Sequence, residues 1–144
     1  MKSLLSVLAF AGILMGCSDA GDTTVNPNGS VTVTTDKTSY SVGEHVPVAL
    51  TNDSHSTAYV SHCNYRIGFW IERKASDTWV DAGNVAIVCL ALYPSGRKNF
   101  AAGSLSQDTI SLTQAGTYRL RYPVAWFENQ PIDDSVLSNE FVIQ

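Results

Sequence analysis

From Val31 onward, apolar and polar residues alternate along the chain. Period-two patterning places alternate side chains on opposite faces of a strand, one against a core and one toward water. No window sustains the 3.6-residue period of an amphipathic helix. Turn-forming residues separate the runs at 42–44, 52–54, 94–96, 115–116 and 133–134. Several short strands at such spacing predict an all-β sandwich.

Two details of this pattern bear on how the strands are arranged. Pro47 cannot donate to a strand ladder, which favours an edge strand or a bulge at that position. Phe69 and Trp70 are neighbours in a predicted strand, so only one of them can face the core. The pattern leaves open which of the two it is.

The predicted domain comprises residues 31–144, about 114 of the 144 residues in the chain. That length predicts a single domain. A domain of this size buries roughly two-thirds of the surface of its unfolded chain. It therefore supports a core without a cofactor, and we expect none.

The N-terminus carries the pattern of an export signal. Lys2 supplies a cation, residues 4–14 form an apolar run, and a small residue precedes Cys17. The run is shorter than the ~20 residues that a spanning helix needs. An ordinary signal peptide with a chance cysteine, or a buried N-terminal strand, is the alternative reading of these residues.

The segment Leu14-Met15-Gly16-Cys17 resembles the lipobox of bacterial lipoproteins. The resemblance implies a signal peptide over 1–16, cleavage before Cys17 and fatty acylation of Cys17. Two or more acyl chains anchor a protein stably, so the expected partner is a membrane of the cell envelope. In Gram-negative lipoproteins, an Asp directly after the acylated cysteine favours retention in the inner membrane. This chain has Ser18 at that position, so the resemblance favours the outer membrane.

Residues 17–30 are polar and rich in Gly, Pro and Asn, with a single Val. Such a composition buries too little apolar surface to order itself. We expect a flexible tether between the anchor and the domain.

Two segments of the domain resemble immunoglobulin-like folds. Residues 35–46, TDKTSYSVGEHV, resemble the opening of macroglobulin-type and bacterial immunoglobulin-like domains. Residues 114–120, QAGTYRL, resemble a tyrosine corner, in which Tyr118 hydrogen-bonds back to the preceding turn. Antibody domains have a cysteine two residues after this tyrosine, and Leu120 occupies that position here. The resemblance implies a single immunoglobulin-like antiparallel β-sandwich of about seven to nine strands, without the antibody-type disulfide.

With Cys17 acylated, Cys63 and Cys89 remain as a pair. An exported chain with two cysteines most simply forms one disulfide. Closing a loop of 26 positions stabilises the fold by about 3.5 kcal/mol in the chain-entropy model. The alternative is a metal site with His62 and His55. Adjacent strand residues such as His62 and Cys63 point to opposite faces, so we expect no metal.

Charge and motifs exclude several functional classes. The 9 Lys and Arg residues against 13 Asp and Glu give a net charge of -4, which lacks the basic footprint of nucleic-acid binding. No G-x-S-x-G elbow, phosphate loop or dinucleotide fingerprint occurs. We therefore predict a non-catalytic binding or structural module that contacts an envelope protein or an extracellular ligand, and no nucleic acid.

Aromatic and cationic residues in two segments, 93–100 and 122–128, form the predicted interaction surface, since exposed aromatics carry interface energy. The candidates are Tyr93, Arg97, Lys98, Phe100, Trp126 and Phe127. In the alternative reading, Trp126 and Phe127 fold back to cap the open end of the sandwich. Two other functions stay open: a protease inhibitor that presents loop 93–100, and a hydrolase whose Ser, His and Asp converge from distant positions.

Overall fold

The structure, a computed structural model, describes residues 30–90 and 95–144. Leader residues 1–16, Cys17 and nearly all of the predicted tether lie outside this part of the chain. The described residues form twelve β-strands and no helix. In chain order the strands are β1 (Val31–Thr35), β2 (Ser39–Tyr40), β3 (His45–Asn52), β4 (Ala58–Cys63), β5 (Arg66–Ile67), β6 (Phe69–Ala75), β7 (Thr78–Val85), β8 (Ser95–Phe100), β9 (Leu105–Ser111), β10 (Gly116–Ala125), β11 (Asp134–Leu137) and β12 (Phe141–Ile143).

Within the described residues the strands build two sheets. Strands β1, β3 and β9 form a three-stranded antiparallel sheet, which we call sheet A. The other nine form sheet B around β10, with one parallel pairing between β12 and β2. The prediction of an all-β sandwich is confirmed. The strand number exceeds the predicted seven to nine because the chain beside β10 is interrupted, which divides it into short segments.

Strand β10 is paired along both edges. Tyr118 lies opposite Phe141 of β12 and Arg73 of β6, so these two strands flank it on opposite sides. Val124 likewise lies between Asp134 of β11 and Val60 of β4. Strands β12 and β11 therefore follow one edge of β10, and β6 and β4 follow the other.

The core lies between the two sheets, and the alternation seen in the sequence decides which residues enter it. In β10 the residues at every second position from Tyr118 to Val124 are fully buried. Phe69 is also fully buried and stacks on Tyr122 with ring centroids 4.6 Å apart. Trp70 is half-buried on the outer face of the sheet. Phe69 is therefore the inward residue of the pair.

Pro47 lies in β3, the central strand of sheet A, and not in an edge strand. It is opposite Thr109 of β9. The pairing of β3 with β1 ends one residue away, at Val48. A proline is tolerated in this central strand because it occupies a stretch with a ladder partner on one side only.

A buried polar network closes one end of the sandwich. Asn52 is fully buried, and its Nδ2 donates to the carbonyl oxygens of Ser56 and Phe100 at 3.0 and 2.7 Å. Its Oδ1 accepts from both the backbone N and the hydroxyl of Ser54. Every polar atom of the Asn52 side chain thus has a partner, which offsets the cost of burying it.

Tyr118 connects β10 to the turn before it. Its ring is buried, and its hydroxyl donates to the carbonyl oxygen of Gln114 at 2.9 Å. Gly116, between the two, has φ +153, and a Cβ there would lie 3.2 Å from Cδ of Arg73. The turn therefore needs glycine both for its backbone conformation and for the close approach of Arg73.

We predict that Tyr118→Phe lowers the free energy of unfolding by about 1 kcal/mol, the net contribution of one hydrogen bond. Urea denaturation of the two proteins measures it. Tyr65→Phe is the matched control, because Tyr65 is exposed and its hydroxyl makes no hydrogen bond within the described residues. An unchanged midpoint for Tyr118→Phe would contradict a stabilising role for this contact.

Candidate interaction surface

The predicted disulfide between Cys63 and Cys89 is present, with Cα atoms 5.5 Å apart. Cys63 ends β4, and Cys89 lies in the segment that follows β7. The bond therefore pins that segment against sheet B.

Exposed apolar side chains surround this disulfide. Tyr65 is 78% exposed, Val88 76% and Leu90 67%. Each is within two residues of a bridged cysteine. Tyr65 occupies the tip of the β4–β5 hairpin, where Asn64 and Tyr65 have φ values of 48° and 73°. Two successive left-handed residues are typical of a tight two-residue hairpin turn, so the hairpin projects Tyr65 away from the core.

The described part of the predicted loop 93–100, residues 95–100, is a strand. Ser95–Phe100 form β8, which pairs with Ala58–Cys63 of β4 along its whole length. Phe100 is buried in the core and contributes nothing to a surface, which corrects its prediction as an interaction residue. The sequence hides this strand because β8 exposes most of its side chains. Tyr93 lies outside the described residues.

Arg97 joins the two predicted interaction segments. Its Nη1 donates to the carbonyl oxygen of Phe127 at 3.0 Å and to that of Glu128, and its Nη2 donates to that of Gln130. The guanidinium also lies over the Tyr59 ring, 5.2 Å from its centroid. Arg97 of β8 therefore holds the turn after β10 in one conformation, since a planar fork of donors fits several acceptors at once.

The two aromatic residues near this turn differ in their surroundings. Trp126 packs against the core, and its Nε1 donates to Oδ2 of Asp134 at 2.7 Å. Phe127 is 69% exposed. The capping alternative therefore describes Trp126 and not Phe127. Lys98, one residue beyond Arg97 on β8, is exposed.

These residues lie along one side of sheet B. Ser95, the first residue of β8, is opposite the disulfide-bonded Cys63, and the clamped turn lies beside Arg97 further along the strand. We call this side the β8 surface and define it by Tyr65, Val88, Leu90, Arg97 and Phe127. Lys98 lies opposite the buried Val60 and projects from the other face of β8. Tyr65, Val88 and Leu90 were missed at the level of sequence, although apolar residues flanking a disulfide cysteine were a usable signal.

The outer face of sheet B carries a second polar cluster that the sequence did not indicate. Glu72 accepts from Nε of Arg119 and from Nε of Arg121, both at 2.7 Å. The guanidinium groups lie over the rings of Trp79 and Trp70, at 4.3 and 5.7 Å from the centroids. Partial burial raises the pKa of Glu72, but the two arginines outweigh it and hold the pKa below its usual value.

The alternative metal site loses its two thiols, because Cys63 and Cys89 are bonded to each other. A ring nitrogen of His62, Nδ1, lies 3.0 Å from the carbonyl oxygen of Gly96. In residues 30–90 and 95–144, no three His, Cys, Asp or Glu side chains form a group that could hold a metal ion. The same residues include no helix with the length and apolar character to cross a bilayer.

No protein-family model matches the chain, and no curated protein does. Solved structures resemble it at low identity. An alkylpurine DNA glycosylase of Pseudomonas fluorescens, bound to DNA containing an abasic site analog, matches with 12% identity and a TM-score of 0.44, over 79% of this chain and 30% of that one. A sporulation control protein of Bacillus subtilis matches with 9% identity and a TM-score of 0.44, over 79% and 48%. This chain thus spans less than half the length of either protein.

A PapD-like domain of a human protein matches with 12% identity and a TM-score of 0.34, over 90% of this chain and 93% of that domain. At these scores the matches say nothing about function.

We predict that Arg97→Lys frees the turn after β10, because an ammonium group cannot reach three carbonyl oxygens in the geometry of a guanidinium. The Gln130 amide, which donates to the Phe127 carbonyl at 3.2 Å, should exchange with deuterium about tenfold faster, which corresponds to losing about 1.4 kcal/mol. Amide exchange followed by NMR measures it. Lys98→Ala is the control and should leave the rate unchanged. Equal exchange in Arg97→Lys and the parent protein would show that other contacts hold the turn.

Proposed function

We propose that this chain is a lipid-anchored protein of the cell envelope whose immunoglobulin-like sandwich is a non-catalytic binding module. The lipobox ending at Cys17 supports the anchor, and the polar segment 17–30 supports a tether that separates the anchor from the domain. Two acyl chains on Cys17 hold the protein at the membrane, with Ser18 favouring the outer membrane of a Gram-negative cell.

The β8 surface is the observation that carries the binding role. Four large apolar side chains on one side of a small domain are each more than two-thirds exposed: Tyr65, Val88, Leu90 and Phe127. Grouped exposed apolar residues of this kind are typical of interaction sites. A buried core does not need them, and their exposure costs solubility.

Two constraints hold these side chains in place before any partner arrives. The Cys63–Cys89 bond fixes the backbone beside Tyr65, Val88 and Leu90. Arg97 fixes the turn that carries Phe127 through three carbonyl contacts. A surface ordered in advance loses less conformational entropy on association, so the same contacts yield a tighter complex.

The composition of the β8 surface favours an envelope protein or an extracellular ligand with an apolar patch. Aromatic anchors such as Tyr65 and Phe127 fill pockets of a partner. The acidic chain offers no stripe of cations to nucleic acid. The protease-inhibitor alternative loses most of its loop, since Ser95–Phe100 form a strand.

Site-specific photocrosslinking in intact cells tests the binding role. A benzophenone amino acid replaces Phe127 or Val88, and Val42 is the control because it is 50% exposed in a turn between β2 and β3. We expect Phe127 and Val88 to give the same discrete adduct and Val42 to give none. Identical adducts at all three positions, or none at Phe127 and Val88, would refute a docking role for the β8 surface.

Fractionation of cells tests the anchor. We predict that Cys17→Ala moves the protein out of the membrane fraction, because the thiol that accepts the lipid is gone. Mass spectrometry of the parent protein should show an acylated Cys17 at a new N-terminus. If Cys17→Ala associated with the membrane as much as the parent protein does, the lipid anchor would be contradicted. The photocrosslinking result would still decide the binding role of the β8 surface.

A further inference from the structure

A second site lies at the far end of the sandwich from the Asn52 network, between the two sheets. It is a cleft of about 270 Å³ between residues 80–82 of β7 and residues 111–114, which comprise the last residue of β9 and the three residues after it. Arg73, Val80, Leu112, Gln114 and Tyr118 contribute to its lining. None of these residues belongs to the β8 surface.

Arg73 is a cation at a position that faces the core side of sheet B. It lies directly opposite Tyr118 in β10 and opposite Val80 in β7. Directly opposed residues of antiparallel strands project from the same face, and Tyr118 is a buried core residue. Arg73 thus extends the inner face to the open edge between the sheets.

The guanidinium of Arg73 makes no hydrogen bond and no ion pair within residues 30–90 and 95–144. The cations near it differ: Lys74 pairs with Glu140, while Arg119 and Arg121 both bind Glu72. A half-buried guanidinium without a carboxylate retains an unpaired positive charge in a restricted space, where an anion binds more strongly than at an open surface.

The position of Arg73 is fixed by its stem. A Cβ on Gly116 would lie 3.2 Å from its Cδ and 3.5 Å from its Cγ, so the aliphatic part rests directly on the Gly116 backbone. Glycine at 116 makes room for this contact, and the charged end continues beyond it. The cation is therefore positioned without an acidic partner.

Asp81 also lines the cleft but does not neutralise Arg73. It is opposite Glu72, whose carboxylate binds the outer-face arginines, so its side chain belongs to the outer face. Its Oδ1 accepts from the backbone N of Gly83 at 2.8 Å. The backbone of 80–82 rather than the Asp81 carboxylate forms this wall of the cleft.

Strand β7 adds an open backbone edge to this site. Among the described strands it pairs with β6 alone. An extended segment that pairs with a free edge gains backbone hydrogen bonds, and every second side chain of that segment points to one face. Those side chains would meet Val80 and Leu112 in the cleft.

We propose that the β7 edge and its cleft bind an extended segment of a partner protein by strand addition, with an Asp or Glu of that segment bound to Arg73. The segment alternates apolar residues with polar ones and places its carboxylate at an inward position. The unpaired cation supplies the selectivity, and the backbone edge supplies hydrogen bonds that do not depend on sequence. The competing role for Arg73 is to guard the edge, since inward charges discourage strands from pairing.

A peptide library displayed on phage, with randomised eight-residue segments, tests the proposal on the full-length chain in detergent. We expect the parent protein to select peptides with Asp or Glu at one position among alternating apolar residues. Arg73→Gln should weaken binding of a selected peptide at least tenfold, Arg73→Lys should weaken it less, and Arg73→Glu should select Lys or Arg at the same position. Lys98→Gln, on the β8 edge, is the matched control and should leave the selection unchanged.

Amide exchange in the presence of the selected peptide reports on the strand pairing, and we expect slower exchange for residues of Thr78–Val85. Circular dichroism establishes that each variant is folded. A parent protein that selects no acidic peptide, or an Arg73→Gln variant with the same selection, overturns the carboxylate site. Unchanged exchange in β7 overturns strand addition. Self-association of Arg73→Gln without peptide selection assigns Arg73 to edge protection instead.

Discussion

The fold depends on strand β10, which is hydrogen-bonded to neighbouring strands along both of its edges. Four strands share this one strand, and its inward residues run from Tyr118 to Val124 through the middle of the core. A strand paired on both edges leaves no backbone group of its central part unsatisfied, so each neighbour is bound in one register. The hydrogen bond from the Tyr118 hydroxyl to the Gln114 carbonyl oxygen then ties the start of β10 to the turn that precedes it.

The interruption between β4 and β6 creates the candidate surface. Both strands follow the same edge of β10, but the chain between them leaves the sheet as a hairpin through Asn64 and Tyr65. The disulfide at Cys63 and the pairing of β8 with β4 stabilise this excursion. Exposed apolar residues occur there because the hairpin tip and the segment around Cys89 lie outside the core between the two sheets, which leaves their side chains uncovered.

The arginine side chains differ in whether they have a hydrogen-bond acceptor or an anionic partner. On the outer face, Arg119 and Arg121 share Glu72 and stack on tryptophan rings, so the cluster is complete in itself. Arg97 is engaged with backbone carbonyl oxygens. Arg73 alone among these arginines enters a cleft without an acceptor in the described chain, which is why it and not the larger outer cluster supports a binding proposal.

The alternation of residues determined the sandwich, because a period of two leaves strands as the way to bury one face. The predicted export of the chain, with the oxidising environment that it implies, led to the prediction of the Cys63–Cys89 pair. The sequence did not predict strand β8, because most of its side chains are exposed and show no alternation. It also did not decide whether Phe69 or Trp70 faces the core, because alternation assigns the two residues to opposite faces without showing which face is buried. The sequence also did not indicate that Arg97 contacts the turn at Phe127, or that Arg73 has no acidic partner among the described residues. Those outcomes depend on contacts between residues far apart in the chain, which only the tertiary structure brings together.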